Sequence, residues 1–231
     1  MGIKKIIFSF AILMACVISV SAKSKEAIKC TLTLLNGEKV SGYITKEKAT
    51  GIPMTLYGGK VYNATEVIIS ATPEEKGTKY KADDAKELVV FNENGEKFRF
   101  LSLYTTKPMT APKNLRANAH RSFWMVVYEG KNLIGFGSQT KEKSAFPTYG
   151  GRMTTYTEQS YAYSYCAKGD DVVVTYYVPE SGITIGLKKN IRYAFERFPK
   201  MDEYLSSDKF DLKSFKKSPF DLLKVLDSKV K

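Results

Sequence analysis

The feature that most restricts the fold of this chain is a period-two alternation of apolar and polar side chains near its start. Ile28, Cys30 and Leu32 are separated by single polar residues, a spacing that places the apolar side chains on one face of a β-strand. Asn36-Gly37 follows, and this dipeptide tolerates the positive φ angles of a tight two-residue turn. The sequence therefore predicts a β-hairpin over residues 28–45.

Similar strand signals continue along most of the chain, as short β-branched or aromatic runs bounded by Gly, Pro, Asn or Asp. Gly42 interrupts the return strand of the first hairpin, which indicates a bend or a close approach of another backbone. Residues 105–121 carry two prolines and no hydrophobic period, so they are predicted to connect two β-rich halves. The further predicted strands are 66–71, 78–82, 87–91, 98–103, 123–128, 133–137, 154–166, 172–178 and 182–187.

The pattern changes to a helical period toward the C-terminus. Ile191, Ala194 and Phe195 fall on one face of a helix that ends before Pro199. Ser218-Pro219 marks the start of another short helix, with Ser as N-cap and Pro in the first turn. Because an isolated helix of about 12 residues is marginal in water, this tail is predicted to pack on the sheet.

The predicted fold class is therefore mainly β, or α+β overall. It has two β-rich halves, the first a small barrel or curled sheet, and a C-terminal helical tail. The predicted division is a signal peptide at 1–22, a barrel-like β domain at 23–104, a linker at 105–121, a second β region at 122–187 and the helical tail at 188–231.

The first 22 residues have the composition of a secretory signal peptide. Lys4 and Lys5 form a basic head, an apolar run follows, and Val20-Ser21-Ala22 resembles a cleavage site. The apolar run is short for a bilayer span, which needs roughly 20 residues. The sequence predicts export to the periplasm or cell surface, with a mature chain from Lys23 to Lys231 that has no transmembrane segment.

An alternative processing site lies inside the same segment. Leu13-Met14-Ala15-Cys16 resembles the lipobox of bacterial lipoproteins. Processing there would leave a mature chain that is anchored to a membrane by a lipid on Cys16. Both processing sites predict an exported protein. They differ in whether the mature chain is released from the membrane or anchored to it.

The charge of the chain limits the partners that it favours. The formal net charge is +12 at pH 7, which favours encounter with anionic molecules. The lysines are spread over the whole chain, a pattern typical of a solvated surface, so no nucleic-acid partner is predicted. An envelope glycan or another envelope protein is the class of partner that fits an exported chain.

Two cysteines remain in the predicted mature chain, Cys30 and Cys166, and an exported protein can oxidise them. A disulfide between them is one prediction, and two separate buried thiols in strands is the alternative. Two cysteines and one histidine give no zinc-ligand spacing. Gly135-Phe136-Gly137 lacks the third glycine and the helix of a phosphate-binding loop. The sequence therefore predicts no metal and no cofactor.

Catalytic residue patterns give little support to an enzyme. His120, the single histidine, lies in the predicted connection and is read as a surface residue. The acidic pairs, such as Asp170-Asp171, are neighbours in sequence, and neighbours in a strand point to opposite faces. A hydrolase that cuts an envelope polymer would need two acids brought together by the fold, and it is kept as the alternative function.

Tyrosine is the one enrichment that suggests a binding surface. Five tyrosines fall within seventeen residues, and the last three alternate along one face of a predicted strand. Exposed rings near basic side chains suit stacking on sugar rings or contact with an anionic polymer, whereas cross-strand packing is the structural alternative. The predicted binding residues are Tyr149, Tyr156, Tyr161, Tyr163, Tyr165, Arg152 and Lys168.

Two resemblances accompany these patterns. Residues 30–44, CTLTLLNGEKVSGYI, resemble the first strand, turn and second strand of an Sm-like or SH3-like barrel, which implies a barrel fold. Sm-like proteins bind RNA inside the cell, so their activity is not expected of an exported chain. The segments 128–137, 172–178 and 191–199, in this order after an export signal, resemble a group of exported, β-rich bacterial proteins without an assigned function. That resemblance implies a non-catalytic protein that binds or scaffolds an envelope component or glycan.

Overall fold

The computed structural model describes residues 27–45, 64–91, 95–106, 117–147, 153–179 and 186–230, with the backbone alone at 45, 138–147 and 153–161. The predicted signal peptide and Cys16 lie outside the described residues. The strands are β1 (Ala27–Leu34), β2 (Lys39–Thr45), β3 (Glu66–Ile69), β4 (Thr78–Lys81), β5 (Ala85–Phe91), β6 (Lys97–Thr106), β7 (Ala117–Glu129), β8 (Leu133–Pro147), β9 (Met153–Ala167) and β10 (Val172–Tyr177). The helices are α1 (Leu187–Phe195), α2 (Pro199–Ser206), α3 (Leu212–Lys217) and α4 (Pro219–Asp227).

The first hairpin forms as its alternation predicts. Ile28, Cys30 and Leu32 are buried, and β1 pairs with β2 in antiparallel register. The turn has Gly37 at φ +89°, a backbone angle that costs glycine little. The Asn36 side chain accepts a hydrogen bond from the Glu38 backbone N–H at 2.9 Å. Local sequence alone therefore specifies both strands and the turn that joins them.

Gly42 lies where β3 approaches β2, as its position in the strand predicts. Tyr43 and Ser70 exchange two backbone hydrogen bonds of 2.8 and 3.0 Å. A Cβ at Gly42 would overlap the carbonyl oxygen of Ser70. The absence of a side chain at this position thus lets the small β3–β4 sheet dock on the edge of the main sheet.

The main sheet has eight strands in the order β10-β9-β8-β7-β6-β5-β1-β2, and part of it closes into a barrel. Closure is made by a parallel pairing of β10 with β6, at Val172–Tyr104 and Val173–Thr105. β6 to β10 thus form a closed five-stranded barrel, and each strand contributes one buried side chain to its interior. These are Leu103, Trp124, Phe136, Cys166 and Val173.

The predicted mainly β fold with a helical tail is confirmed. The barrel closes around β6 to β10, while the first half forms the open part of the same sheet over its own core. The predicted linker at 105–121 is corrected at both ends, since β6 extends to Thr106 and β7 begins at Ala117. The first residues of β7 are polar, so they lack the apolar alternation that would have marked them as a strand.

The four helices cover the outer face of the barrel over β8, β9 and β10. Ile191, Ala194 and Phe195 of α1 are buried, as their helical spacing predicts. They share a hydrophobic core with Tyr165 of β9 and with α4. A Cβ at Gly135 would overlap Leu223 of α4, so this glycine allows close helix–strand packing rather than phosphate binding.

The C-terminal end of α4 is attached to the β7–β8 turn by one buried carboxylate. Asp227 is 8% exposed and accepts hydrogen bonds from the backbone N–H groups of Lys131, Asn132 and Leu133 at 2.9, 2.8 and 2.7 Å. The Asn132 side-chain amide also donates to the backbone carbonyl of Asp227 at 2.8 Å. The helical tail therefore supplies hydrogen-bond acceptors for backbone N–H groups of the turn that would otherwise have no partner.

Candidate binding site

The longest hairpin of the molecule continues beyond the barrel as a two-stranded segment. β8 and β9 pair from Leu133–Ala167 to Pro147–Met153, but β7 pairs with β8 only as far as Gly137. The ten remaining pairs, at residues 138–147 and 153–162, have no third strand among those that the structure describes. We call these two ranges the ribbon, and at about 3.3 Å per residue it is about 33 Å long.

The ribbon contains two of the predicted tyrosines, and two more lie at its base. Tyr156 and Tyr161 belong to the ribbon part of β9. Tyr163 and Tyr165 lie further along β9, where this strand pairs with β10 in the barrel. Tyr149 and Arg152 lie outside the described residues.

Tyr165 is part of the core, which corrects its prediction as a contact residue. Its ring is fully buried and stacks on Phe195 with centroids 4.4 Å apart. Its hydroxyl donates to the carbonyl of Ala194 at 2.7 Å, and burial raises the pKa of the phenol. Tyr163 is half-buried, with its ring centroid 4.9 Å from that of Phe220. Both rings therefore hold the helices on the barrel.

Lys168 is also separate from the ribbon, contrary to its prediction. It lies in the β9–β10 turn, and its backbone N–H donates to Asn132 at the β7–β8 turn. Its ammonium group is 3.7 Å from Glu129, which also pairs with Arg99. Five residue pairs, or about 17 Å of strand, separate this end of the hairpin from the start of the ribbon.

The predicted disulfide is wrong, because the two cysteines lie in different hydrophobic cores. Cys30 belongs to the core under β1, β2 and β5, and Cys166 belongs to the barrel interior. Both are free thiols. Burial raises the pKa of each thiol to about 12, so the alternative of two separate buried thiols is correct.

Because a thiol with such a raised pKa is almost entirely protonated at pH 8 and is shielded by packing, neither cysteine should react with dithionitrobenzoate in the native protein. In denaturant without reductant, the chain from Lys23 to Lys231 should release two equivalents of chromophore. Rapid labelling of the native protein, or fewer than two thiols in the denatured protein, would contradict this assignment.

The two adjacent aspartates of the β9–β10 turn each form an ion pair with a different arginine. Arg197 forms an ion pair with Asp170, and Arg121 forms one with Asp171 at 3.1 Å. Arg121 also lies over the ring of Tyr104, 4.5 Å from its centroid. The two carboxylates therefore fasten β7 and the turn that follows α1 to the β9–β10 turn.

The single histidine is exposed, as predicted, although it lies on β7 rather than in a loop. The His120 side chain is 76% exposed, and its Nδ1 lies 2.9 Å from Asp83. The Arg121 backbone N–H donates to the same carboxylate at 2.7 Å. This backbone donor, together with His120, lowers the pKa of Asp83. Among the described residues, no three His, Cys, Asp or Glu side chains are grouped as metal ligands.

A cleft on the helical layer was missed by the sequence reasoning. It has a volume of about 320 Å³ and lies between α2 and the residues that follow α4. Its basic residues come from three separate positions in the chain, so no local motif marks them. The side chains of interest are Lys200, Tyr204, Lys209 and Lys229.

The fold and these surfaces define a class of protein, namely a five-stranded barrel with a helical layer on one side and a long two-stranded ribbon. No family model, curated protein or solved structure matches the chain. Of the helices in the described ranges, none has the length and apolar character that a membrane crossing needs.

Proposed function

We propose that this chain is a non-catalytic exported protein that binds an envelope component, with a glycan as the first candidate, through the ribbon. The observation that carries the proposal is the continuation of β8 and β9 for ten residue pairs beyond their barrel neighbours. A packed barrel supports the base of the ribbon, so the ribbon is held at one end by a rigid element. Tyr156 and Tyr161 supply aromatic rings along it.

The composition of the ribbon favours contact through side chains over addition of a partner strand. Lys141, Glu142 and Lys143 lie next to each other on β8, and Pro147 ends this strand. Charged residues and proline on an open strand edge discourage pairing with another strand. Tyrosine rings and lysines remain as the groups that would contact a sugar face or an acidic polymer.

We also propose that the chain reaches the cell envelope through its N-terminal segment. Cleavage before Lys23 is the proposed processing step, with lipid attachment at Cys16 as the alternative, and the group of exported β-rich proteins is the proposed family. A hydrolase acting on an envelope polymer remains the alternative function. It would require two free carboxylates facing one cleft, and both acids of the 170–171 pair are held by arginines.

Removal of most of the ribbon should strongly weaken glycan binding without unfolding the barrel. In this variant, Asn-Gly replaces residues 140–160, so that the Gln139–Tyr161 pair closes on a two-residue turn. The chain from Lys23 to Lys231 should sediment with insoluble cell-wall polysaccharide, and the variant should bind at least tenfold more weakly. Thermal unfolding should show that the barrel is retained.

Single substitutions test the aromatic contribution. Tyr156→Ala should weaken binding about fivefold, since an aromatic contact contributes about 1 kcal/mol. The matched control is Tyr193→Ala, because Tyr193 is an exposed tyrosine on α1 and should leave binding unchanged. Equal binding by the ribbon deletion and the unaltered protein would overturn the proposal, and so would failure of the unaltered protein to bind any envelope polysaccharide.

A further inference from the structure

The cleft on the helical layer carries an excess of positive charge. Lys200, Lys209 and Lys229 line it, and Glu203 is its one acidic residue. Within the part of the chain that the structure describes, none of these three lysines forms an ion pair. By contrast, Lys224 on the nearby helix α4 pairs with an aspartate at 2.6 Å. The cleft is thus a concave surface with a formal charge of +2.

An aromatic ring helps to define the position of one of these cations. The ammonium group of Lys229 lies 5.3 Å from the ring centroid of Tyr204, within the range of a cation–π contact. The Tyr204 hydroxyl donates to the carbonyl of Lys209 at 3.4 Å. Tyr204 therefore links two of the three lysines on one wall of the cleft.

An apolar groove adjoins the cleft and shares two of its residues. This groove has a volume of about 210 Å³ and is lined in part by Tyr204 and Lys209. Its apolar walls come from α3, α4 and the loop before α3. They are Phe210, Phe215, Leu222 and Val225, of which Val225 is 41% exposed.

The acidic residues of this groove are already engaged. Asp211 accepts hydrogen bonds from the backbone N–H groups of Lys213 and Ser214 at the start of α3. Asp221 pairs with Lys224. The groove therefore offers an apolar surface next to a cleft whose charge is positive.

We propose that the cleft and groove together bind an amphiphile that has an anionic headgroup. The lysines of the cleft take the anionic group, such as a phosphate, and the apolar walls of the groove take its alkyl chain. Charge complementarity selects the headgroup, and burial of the alkyl surface adds a favourable hydrophobic contribution. This site is on the helical layer and is independent of the ribbon.

Calorimetric titration of the chain from Lys23 to Lys231 tests the proposal with three probes. These are dodecyl phosphate below its micelle concentration, inorganic phosphate and uncharged dodecyl maltoside. Dodecyl phosphate should bind at least tenfold more tightly than either of the other probes, because only dodecyl phosphate has both an anionic group and an alkyl chain. Removal of the ribbon should leave this affinity unchanged, which separates this site from the proposed glycan site.

Charge reversal identifies the cleft as the site. Lys200→Glu combined with Lys229→Glu should weaken dodecyl phosphate binding at least tenfold, and arginine at both positions should retain it. The matched control is Lys216→Glu with Lys217→Glu, two exposed lysines of α3 outside the cleft and groove, which should change the affinity by less than twofold. Equal loss in both charge-reversal pairs would overturn the proposal, as would inorganic phosphate or dodecyl maltoside binding as tightly as dodecyl phosphate.

Discussion

Replacement of Asp227 by alanine is expected to lower the free energy of unfolding by about 3 kcal/mol. The carboxylate is buried and accepts three backbone hydrogen bonds from the β7–β8 turn. Its removal leaves these N–H groups without partners, and the bond to Leu133 is itself buried. The cost should therefore exceed that of an ordinary surface substitution, which is usually within about 0.5 kcal/mol.

Urea unfolding monitored by circular dichroism measures this effect. Asp227→Asn keeps one acceptor oxygen but points an amide donor toward the turn. The asparagine variant should therefore lose less free energy of unfolding than the alanine variant. Asp208→Ala, at an exposed aspartate in the loop after α2, is the matched control. If the alanine variants at 227 and 208 are equally stable, the carboxylate does not hold α4 on the turn.

Features set by neighbouring residues could be predicted from the sequence. The β1–β2 hairpin depends on an alternation over seven residues and on Asn36-Gly37, so it needs no information from elsewhere in the chain. Ile191, Ala194 and Phe195 likewise identify the buried face of α1 by their spacing. The mainly β character and the helical tail follow from such local patterns.

Features made by distant residues could not be predicted in this way. Closure of the barrel depends on a parallel pairing between Tyr104 and Val172, and nothing in either segment specifies the other. The two cysteines illustrate the same limit, because Cys30 and Cys166 occur in similar alternating strands but face different cores. The alternation predicts that each thiol is buried in a strand. It does not predict that the two thiols lie in separate cores.

The two candidate sites show the same difference between neighbouring and distant residues. The tyrosine cluster was visible because its members are neighbours in sequence, but its division between ribbon and core depends on where β10 stops pairing with β9, at Tyr163. Tyr165 lies beyond that point and is covered by α1. The lysine cleft joins residues 200, 209 and 229 where α2 and the loop after it lie beside the residues that follow α4, and a scattered distribution of lysines in the sequence conceals it.

Replacement of Phe195 by alanine is expected to cost about 3–5 kcal/mol, the range for loss of a large buried aromatic side chain. Phe195 is fully buried, stacks on Tyr165 and lies 5.5 Å from the ring centroid of Tyr176. The substitution therefore opens a cavity where α1 meets strands β9 and β10. Tyr193→Ala, on the same helix at a side chain that is 44% exposed, is the matched control.

Two spectroscopic signals separate the helical layer from the barrel in this experiment. The single tryptophan, Trp124, is in the barrel interior, so its fluorescence reports on the barrel, whereas far-ultraviolet circular dichroism at the helical wavelengths reports on α1 to α4. Because Tyr165 and Tyr176 belong to barrel strands and to the core under the helices, Phe195→Ala should shift both urea transitions together. A shift of the helical signal alone would mean that the barrel is stable without the layer that covers it.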